Sequence, residues 1–132
     1  MKPKIYLAGP IFNTEKKESE DWKTFFKLTI NQDLFIPIDP IEEFDYKENP
    51  NIEELVNSDK LSIQRSSAIV ANCWKTSVGT SMEILYAWER SIPTFIIYRE
   101  KNLHPWIRYH STKVFYDVTE CVEFLNNNFA VK

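Results

Sequence analysis

The residues of this chain with the clearest chemical potential are two carboxylic acids, Asp59 and Glu83. Glu83 stands near the start of a predicted helix and Asp59 on the predicted helix before it, so the two can approach if both helices flank one crevice. Cleavage of a glycosidic bond requires two carboxyl groups with different roles. One attacks the anomeric carbon or stabilises its positive charge, and the other manages the proton of the leaving group. The pair is therefore a candidate for this chemistry.

Both acids also have structural explanations. A glutamate early in a helix is favoured by the positive end of the helix dipole. Asp59 stands beside Lys60, and the two would suit a solvated helix face. The positions of the two acids in the sequence do not decide between a catalytic and a structural role.

A glycine-containing turn follows the first predicted strand. Gly9 lies where backbone N–H groups can approach a ligand, and Pro10, Ile11 and Phe12 come directly after it. A tight turn that needs glycine explains the same residues, so this segment carries little weight alone.

A second polar segment opens the helix that carries Glu83. Ser77, Gly79, Thr80 and Ser81 follow the most apolar predicted strand, and the amides of a helix start can hold an anion. An ordinary N-cap accounts for Ser77 or Ser81 equally well.

The composition excludes several common sites. Gly9 and Gly79 are the only glycines, whereas a dinucleotide-binding loop, a Walker loop or a hydrolase elbow each needs closely spaced ones. With two histidines and no zinc-ligand spacing, we expect no metal. The 16 Lys and Arg against 19 Asp and Glu give a net charge of -3, which lacks the basic excess typical of binding to nucleic-acid polymers.

The cysteines and the N-terminal residues favour a cytoplasmic location. Cys73 and Cys121 sit in apolar stretches without C-x-x-C spacing, which predicts reduced, buried thiols. The first apolar run is short and is interrupted by Pro10, unlike a signal peptide, and no segment approaches the ~20 apolar residues of a membrane helix. We expect a soluble, cytoplasmic protein with no membrane partner.

The pattern of apolar residues predicts the elements that position these groups. Strands are predicted at residues Lys4–Ala8, 34–38 (an edge strand, because of Pro37), 67–73, 93–98 and 114–116. Helices are predicted from a cap at Asn13 or Thr14 to about residue 30, at about Ile52–Gln64, from 79 or 80 to 90, and at Val118–Asn128. Polar loops are predicted at residues 39–50 and around His104.

Two of the helices have a predicted inward face. On the first it consists of Trp22, Phe25, Phe26 and Thr29 or Ile30, and on the second of Ile52, Leu55, Val56, Leu61 and Ile63.

The alternation of strands and helices predicts an α/β fold in one domain, residues 1–132. We expect a flavodoxin-like or Rossmann-like three-layer sandwich around a mainly parallel five-stranded sheet. Ligands of such sheets bind beyond the carboxyl ends of the strands, which points to the loops after Ala8, Cys73 and Tyr98.

Three segments carry a resemblance to a known family: KIYLAGPIF, Asp59-x-x-x-Ile63 leading to AIVAN, and SVGTSMEILYAWERSIPTFII. Together they resemble the nucleoside 2-deoxyribosyltransferase family, which includes deoxynucleoside 5′-monophosphate N-glycosidases, in the same order from about Lys4 to Tyr98. The resemblance implies a small parallel-sheet fold and cleavage of the bond between a 2′-deoxyribose and a nucleobase. It implies no metal or organic cofactor.

The resemblance also implies roles for three residues. Glu83 matches a nucleophile that attacks C1′ and forms a covalent deoxyribosyl ester, which a second base resolves in transferases and water resolves in hydrolases. Asp59 matches the acid that helps to protonate the base, and Tyr6 matches a tyrosine that holds the nucleophile. A carboxylate suffices because a sugar without a 2′-hydroxyl destabilises its cation less.

Ser77 bears on the choice of substrate. The resemblance implies that nucleoside-specific members of the family carry an aspartate at this position, six residues before the nucleophile. It implies that the monophosphate hydrolases carry a serine there, as this chain does. A serine hydroxyl beside helix-start amides can donate to a phosphate, whereas an aspartate would repel it. We therefore expect 2′-deoxynucleoside 5′-monophosphates as the preferred substrates.

Residues 104–110 lie at the position from which members of the family supply residues to the active site of a neighbouring subunit. His104 and Trp106 could cover the substrate there, although simple packing explains Trp106 as well. The resemblance implies a homodimer or a larger homo-oligomer with shared active sites, and the chain's 9 Phe, 6 Tyr and 4 Trp are compatible with buried interfaces.

Two other functional classes remain. A non-catalytic nucleotide-binding module would hold phosphate with residues 77–81 and use Glu83 only as a helix-start acid. A response-regulator-like signalling domain shares the order of elements, but Gly9 and Pro10 stand where its acidic cluster would follow the first strand.

Overall fold

The protein, in a computed structural model that describes residues 1–43 and 51–128, alternates strands with helices along the chain. The strands are β1 (Lys4–Ala8), β2 (Ile36–Ile38), β3 (Ala68–Asn72), β4 (Thr94–Ile97) and β5 (Lys113–Phe115). The helices are α1 (Lys16–Thr29), α2 (Pro40–Glu43), α3 (Ile52–Gln64), α4 (Val78–Glu89), α5 (Pro105–Tyr109) and α6 (Val118–Asn128).

The strands form one sheet in the order β2-β1-β3-β4-β5, and every neighbouring pair is parallel. This is the order of flavodoxin-like sheets, so the predicted parallel α/β sandwich is confirmed. Strand β1 lies inside the sheet, with Tyr6 level with Ile38 of β2 and with Ile69 of β3. Strand β2 is an edge strand, as its proline predicted.

Alternate residues of β1 divide the core into two layers, because successive side chains of a strand point to opposite faces. Ile5 and Leu7 pack with the apolar sides of α1 and α6, while Tyr6 and Ala8 pack with those of α3 and α4. The helices therefore cover both faces of the sheet, and the second layer places Tyr6 directly beneath α4.

Three predictions about connecting segments are wrong. Helix α1 is not capped by Asn13 or Thr14: its N-cap is Glu15, and Asn13 has a left-handed backbone with φ of 56°. Part of the predicted loop at 39–50 forms α2, and residues 44–50 lie outside the described residues. The predicted linker around His104 contains α5, which begins at Pro105.

Several predicted inward residues are exposed. Helix α1 buries Trp22 and Phe26, but Phe25 lies beside that stripe and is 44% exposed. Helix α3 buries Leu55 and Ile63, whereas three other predicted positions lie off the line that joins them; they are Ile52, Val56 and Leu61. The inward stripe of each helix is therefore narrower than its apolar composition suggests.

Both cysteines are free thiols, as predicted. Cys121 is fully buried and Cys73 is partly buried. Burial raises the pKa of Cys73 to about 12 and also raises the pKa of Cys121, so neither thiol forms a thiolate readily. Within residues 1–43 and 51–128, no helix combines the length and the apolar character needed to cross a bilayer.

Candidate active site

A cavity of about 620 Å³ lies beyond the carboxyl ends of β1 and β3. Its walls come from the β1–α1 loop, the start of α2, one side of α3, the β3–α4 loop and the first turns of α4. The residues that line it are Gly9, Ile11, Phe12, Asn13, Pro40, Val56, Asp59, Lys60, Ile63, Lys75, Thr76, Ser77, Val78, Gly79, Thr80, Met82, Glu83 and Tyr86. The predicted binding edge of the sheet is therefore the edge that carries the cavity.

Glu83 is held at this cavity by a residue of the central sheet. The hydroxyl of Tyr6, which is fully buried in β1, donates a hydrogen bond to Oε2 of Glu83. Glu83 lies one turn beyond Thr80 and one turn before Ala87, both of which are buried. Its carboxyl group is therefore on the inward side of α4, not on a solvated face.

The surroundings of Glu83 disfavour its charged form. Burial raises the pKa of Glu83 to about 8, the hydrogen bond from Tyr6 opposes this rise, and the negative charge of Asp59 adds to it. The ammonium of Lys23 also opposes it. A carboxyl group with so high a pKa inside a cavity is typical of a functional site.

Asp59 contributes the second carboxyl group of the cavity. It lies one helical turn from Leu55 and one from Ile63, the two buried residues of α3, so it occupies the inward stripe of the helix. An acid flanked in this way by buried apolar residues differs from one on a solvated face, and this spacing is a signal that the sequence already contained.

The start of α4 presents polar groups to the cavity. Oγ of Ser77 caps the helix by accepting a hydrogen bond from the Thr80 amide at 3.3 Å. Thr80 is 3% exposed, and its Oγ1 has no hydrogen-bond partner in the described part of the chain. A Cβ added to Gly79 would meet no atom within 4 Å, so the space beside the helix start is open.

The β1–α1 loop forms the opposite wall. Gly9, Ile11 and Phe12 line the cavity, whereas Pro10 is buried and does not. Glycine is favoured at position 9 because a Cβ there would lie 3.0 Å from the Trp22 side chain, closer than ordinary van der Waals contact. The indole of Trp22 thus supports the loop from below.

Several cavity residues were not predicted from the sequence. Lys60 and Lys75 add two positive charges, and Tyr86 adds an aromatic ring. The guanidinium of Arg90 lies 3.3 Å from the centroid of that ring, and the Gln64 amide donates to the Tyr86 hydroxyl. The separation of three residues between Glu83 and Tyr86, which places them on the same side of α4, is the signal that could have identified the tyrosine.

A buried ion pair beside the site was also not predicted. Lys23 is 1% exposed, and its Nζ lies 3.0 Å from Oδ1 of Asp39, which in turn lies 3.1 Å from Nζ of Lys27. Burial opposes ionisation of Asp39, but the charge of Lys23 and the hydrogen bonds from both lysines outweigh it and hold the pKa of Asp39 below its usual range. A lysine in an otherwise ordinary amphipathic helix gives no sequence signal of such a contact.

His104 and Trp106 lie outside the cavity of the single chain. Nδ1 of His104 accepts the amide of Trp106 at 3.2 Å and thereby caps α5. Trp106 is 67% exposed and stacks on His110 with ring centroids 5.8 Å apart. The loop after β4 therefore does not join the loops after β1 and β3, and a contribution of these residues to a neighbouring subunit stays a prediction.

No cluster of three or more His, Cys, Asp or Glu side chains suited to a metal ion occurs within residues 1–43 and 51–128. Glu83 is held by the hydroxyl of Tyr6, and the ammonium of Lys23 favours its ionised form.

No protein-family model and no curated protein sequence matches the chain. Among solved structures, a 2-deoxyribosyltransferase from Bacillus psychrosaccharolyticus matches with a TM-score of 0.69 and 17% identity, over 96% of this chain and 92% of that one. The chain has the fold of that enzyme. The CMP N-glycosidase of Clostridium botulinum matches with a TM-score of 0.68 and 13% identity, over 96% of this chain and 99% of that one.

The same fold also occurs in a protein with another kind of ligand. DNA processing protein A from Helicobacter pylori, which binds single-stranded DNA, matches with a TM-score of 0.64 and 9% identity, over 97% of this chain and 82% of that one. Identities this low establish a shared fold, so the function has to be argued from the cavity.

Proposed function

We propose that this protein is an enzyme of the nucleoside 2-deoxyribosyltransferase type, which cleaves the N-glycosidic bond of 2′-deoxynucleoside 5′-monophosphates. The observation that carries the proposal is the Tyr6–Glu83 hydrogen bond at a cavity that also contains Asp59. A tyrosine hydroxyl directed at one oxygen fixes the carboxylate and leaves the other oxygen able to bond to carbon.

In the proposed reaction, the ionised Glu83 attacks C1′ as the bond between C1′ and the base nitrogen breaks. The bonding electrons leave with the base, and Asp59 relays to the base a proton taken from water, which neutralises it. The resulting deoxyribosyl ester of Glu83 is cleaved by water, which gives free sugar phosphate, or by a second base, which gives a new nucleotide. The apolar side chains of the cavity, Ile11, Val56 and Met82, suit the flat faces of a base.

The decisive experiment incubates the purified chain with a panel of deoxynucleosides and their 5′-monophosphates, with and without an acceptor base, and measures released base by chromatography. We expect release by the wild type and a loss of at least about 1000-fold in Glu83→Ala, because the covalent step is removed. Glu89→Gln, on the exposed far end of the same helix, is the matched control and should retain full activity.

The non-catalytic alternative makes a different prediction. A nucleotide-binding module would bind the monophosphates without releasing base, and Glu83→Ala would leave that affinity largely intact. Binding without turnover in the wild type would therefore replace the proposed enzyme with a binding protein.

The substrate class has its own test. We expect kcat/KM for dCMP or dTMP to exceed that for the matching free nucleoside by more than about tenfold, because the hydroxyl of Ser77 and the amides at the start of α4 favour an anion. Equal or better turnover of the free nucleosides would contradict the preference for monophosphates.

A further inference from the structure

Two lysines stand among the cavity-lining residues, and neither was assigned a role above. Within the described part of the chain, the charged side chains of the wall are Asp59, Glu83, Lys60 and Lys75. Glu83 has a pKa of about 8 and is mostly uncharged at neutral pH, so the positive charges outweigh the negative ones among the described residues of the wall. The cavity therefore suits a substrate that brings negative charge of its own.

The position of Lys75 links the two loops of the cavity mouth. It belongs to the β3–α4 loop, and its Nζ donates a hydrogen bond of 2.8 Å to the main-chain oxygen of Asn13 in the β1–α1 loop. That oxygen is its one hydrogen-bond partner among the described residues. Because an ammonium has three donors, two remain for a ligand.

Two further hydroxyl-bearing residues that follow Lys75 along the chain, Ser77 and Thr80, also line the cavity. Ser77 is two residues away, and its oxygen accepts the Thr80 amide, which leaves the hydroxyl proton for another acceptor. Thr80 lines the cavity with an unpartnered, buried Oγ1, as described above. The wall of the cavity at the start of α4 therefore combines a helix N-terminus, the hydroxyl-bearing residues Ser77 and Thr80, and Lys75.

Lys60 has a different environment. It follows Asp59 on α3, and its Nζ lies 5.4 Å from the centroid of the Tyr86 ring. It therefore stands beside the carboxyl group and the aromatic ring instead of the start of α4.

We propose that Lys75 is a specificity-determining residue, which binds the 5′-phosphate of the substrate at the start of α4. The proposal rests on the proposed function, since it names the group that would select monophosphates over free nucleosides. It assigns to Lys75 a role that the sequence did not suggest.

The test compares Lys75→Met with the wild type on a monophosphate and on its free nucleoside. We expect kcat/KM for the monophosphate to fall about 10- to 100-fold, mainly through KM, because a charge-assisted hydrogen bond to phosphate is lost. Turnover of the free nucleoside should change less than about twofold. Lys75→Arg should retain most of the preference, because its charge and donors remain.

Lys2→Met is the matched control. It makes the same change of charge at the opposite end of the sheet, where Lys2 donates to the main-chain oxygen of Gln32, and it should leave both substrates unaffected. An equal fall for both substrates in Lys75→Met would overturn the proposal, because Lys75 would then act only by holding the Asn13 loop. An unchanged preference for the monophosphate would overturn it as well.

The outcomes separate this proposal from the proposed function. If the wild type releases no base, the enzymatic proposal fails, and calorimetric titration with dCMP then tests Lys75 alone. Weaker binding of dCMP by Lys75→Met, with a smaller dependence on salt than in the wild type, would support the phosphate contact. Identical binding isotherms for the two proteins would refute it.

Discussion

At the scale of single residues, the chemistry of the cavity depends on the protonation of Glu83. Its pKa of about 8 means that most molecules carry the neutral acid at pH 7, whereas attack on carbon requires the carboxylate. Burial produces this value, and the charge of Asp59 reinforces it. The activity and the stability of the protein should therefore both respond to pH through this one group.

The first residue-scale prediction concerns activity. We expect kcat/KM for a monophosphate to rise with pH up to about 8 and to level off above it, because only the ionised Glu83 reacts. Initial rates measured between pH 6.5 and 9 give this rising limb of the pH profile. Asp59→Asn should move the limb to lower pH while lowering kcat, because it removes both the charge that repels an ionised Glu83 and the group that relays the proton to the base. A limb that stays in place in Asp59→Asn would contradict the coupling of the two groups.

The second residue-scale prediction concerns stability. The pKa of Glu83 is higher in the folded than in the unfolded protein, so the folded state binds its proton more tightly. The free energy of unfolding therefore falls as pH rises from about 4.5 to about 8. Glu83→Gln removes this loss and should raise Tm at pH 8 by several degrees, since each pKa unit corresponds to about 1.4 kcal/mol. At pH 4, where both states are protonated, the two proteins should melt together. A lower Tm for Glu83→Gln at pH 8 would show that its carboxylate is stabilised instead.

At the scale of elements, the cavity lies where loops leave the parallel strands. Its two glycines differ in the space around them, which is filled at Gly9 and open at Gly79. Gly9 touches the Trp22 ring of α1, so the β1–α1 loop and the helix are in direct contact. Gly79 lies within α4, where a side chain would meet nothing. The first glycine thus serves packing, and the second leaves room at the helix start.

The element-scale prediction follows from this contrast. Gly9→Ala should lower the free energy of unfolding by about 1–3 kcal/mol, because its methyl group would overlap Trp22 in a packed region. Gly79→Ala should raise it by about 0.5–1 kcal/mol, because alanine favours a helix, yet it should raise KM by narrowing the cavity. Urea denaturation and steady-state kinetics of both variants test the pair. Equal stability of the two variants would refute the different roles of the glycines.

The sequence predicted those elements whose signals are local. The apolar runs of β1 and β3 and the bounds of α3 are confirmed, because continuous apolar character and the repeat of a helix lie within a few residues of chain. Helix α5 was missed because it is short and begins at a proline, so that its cap at His104 resembles a loop.

Of the site, the sequence predicted Glu83 and its approach to Tyr6 through a family resemblance, since these residues are 77 positions apart. The ion pair of Lys23 with Asp39 was missed because the burial of a lysine depends on a partner from another element. The exposure of Ile52 and Leu61 was missed for a similar reason, because apolar composition alone does not say which side of α3 meets the sheet.

At the scale of the whole molecule, three exposed aromatic side chains gather around α5 and the end of α4. Trp88, Trp106 and Tyr109 are each exposed, and each has its ring centroid within 6 Å of the centroid of His110. Contiguous apolar patches on a surface mark interaction sites. This patch contains one of the two residues that were expected to reach the cavity of a neighbouring subunit.

The prediction at this scale concerns assembly. We expect a homodimer or a larger homo-oligomer in solution, and Trp106→Asp should shift it toward the monomer, because a charge is costly in a buried interface. Sedimentation velocity over a range of concentrations measures the shift. Leu28→Asp, at a 78% exposed apolar residue of α1, is the matched control and should leave the assembly unchanged. A wild type that sediments as a monomer at every concentration would refute the prediction.

The anchoring of Glu83 by a residue of β1 has a consequence for how this scaffold can diverge. Tyr6 belongs to a strand with a neighbour on either side, while the groups that would contact base and phosphate lie on connecting segments and helix surfaces. Insertions or exchanges in those segments can alter what enters the cavity without disturbing the pairing that aims the reactive oxygen. A designer who wishes to redirect the protein to other sugars or bases can therefore randomise its rim and leave the anchor alone.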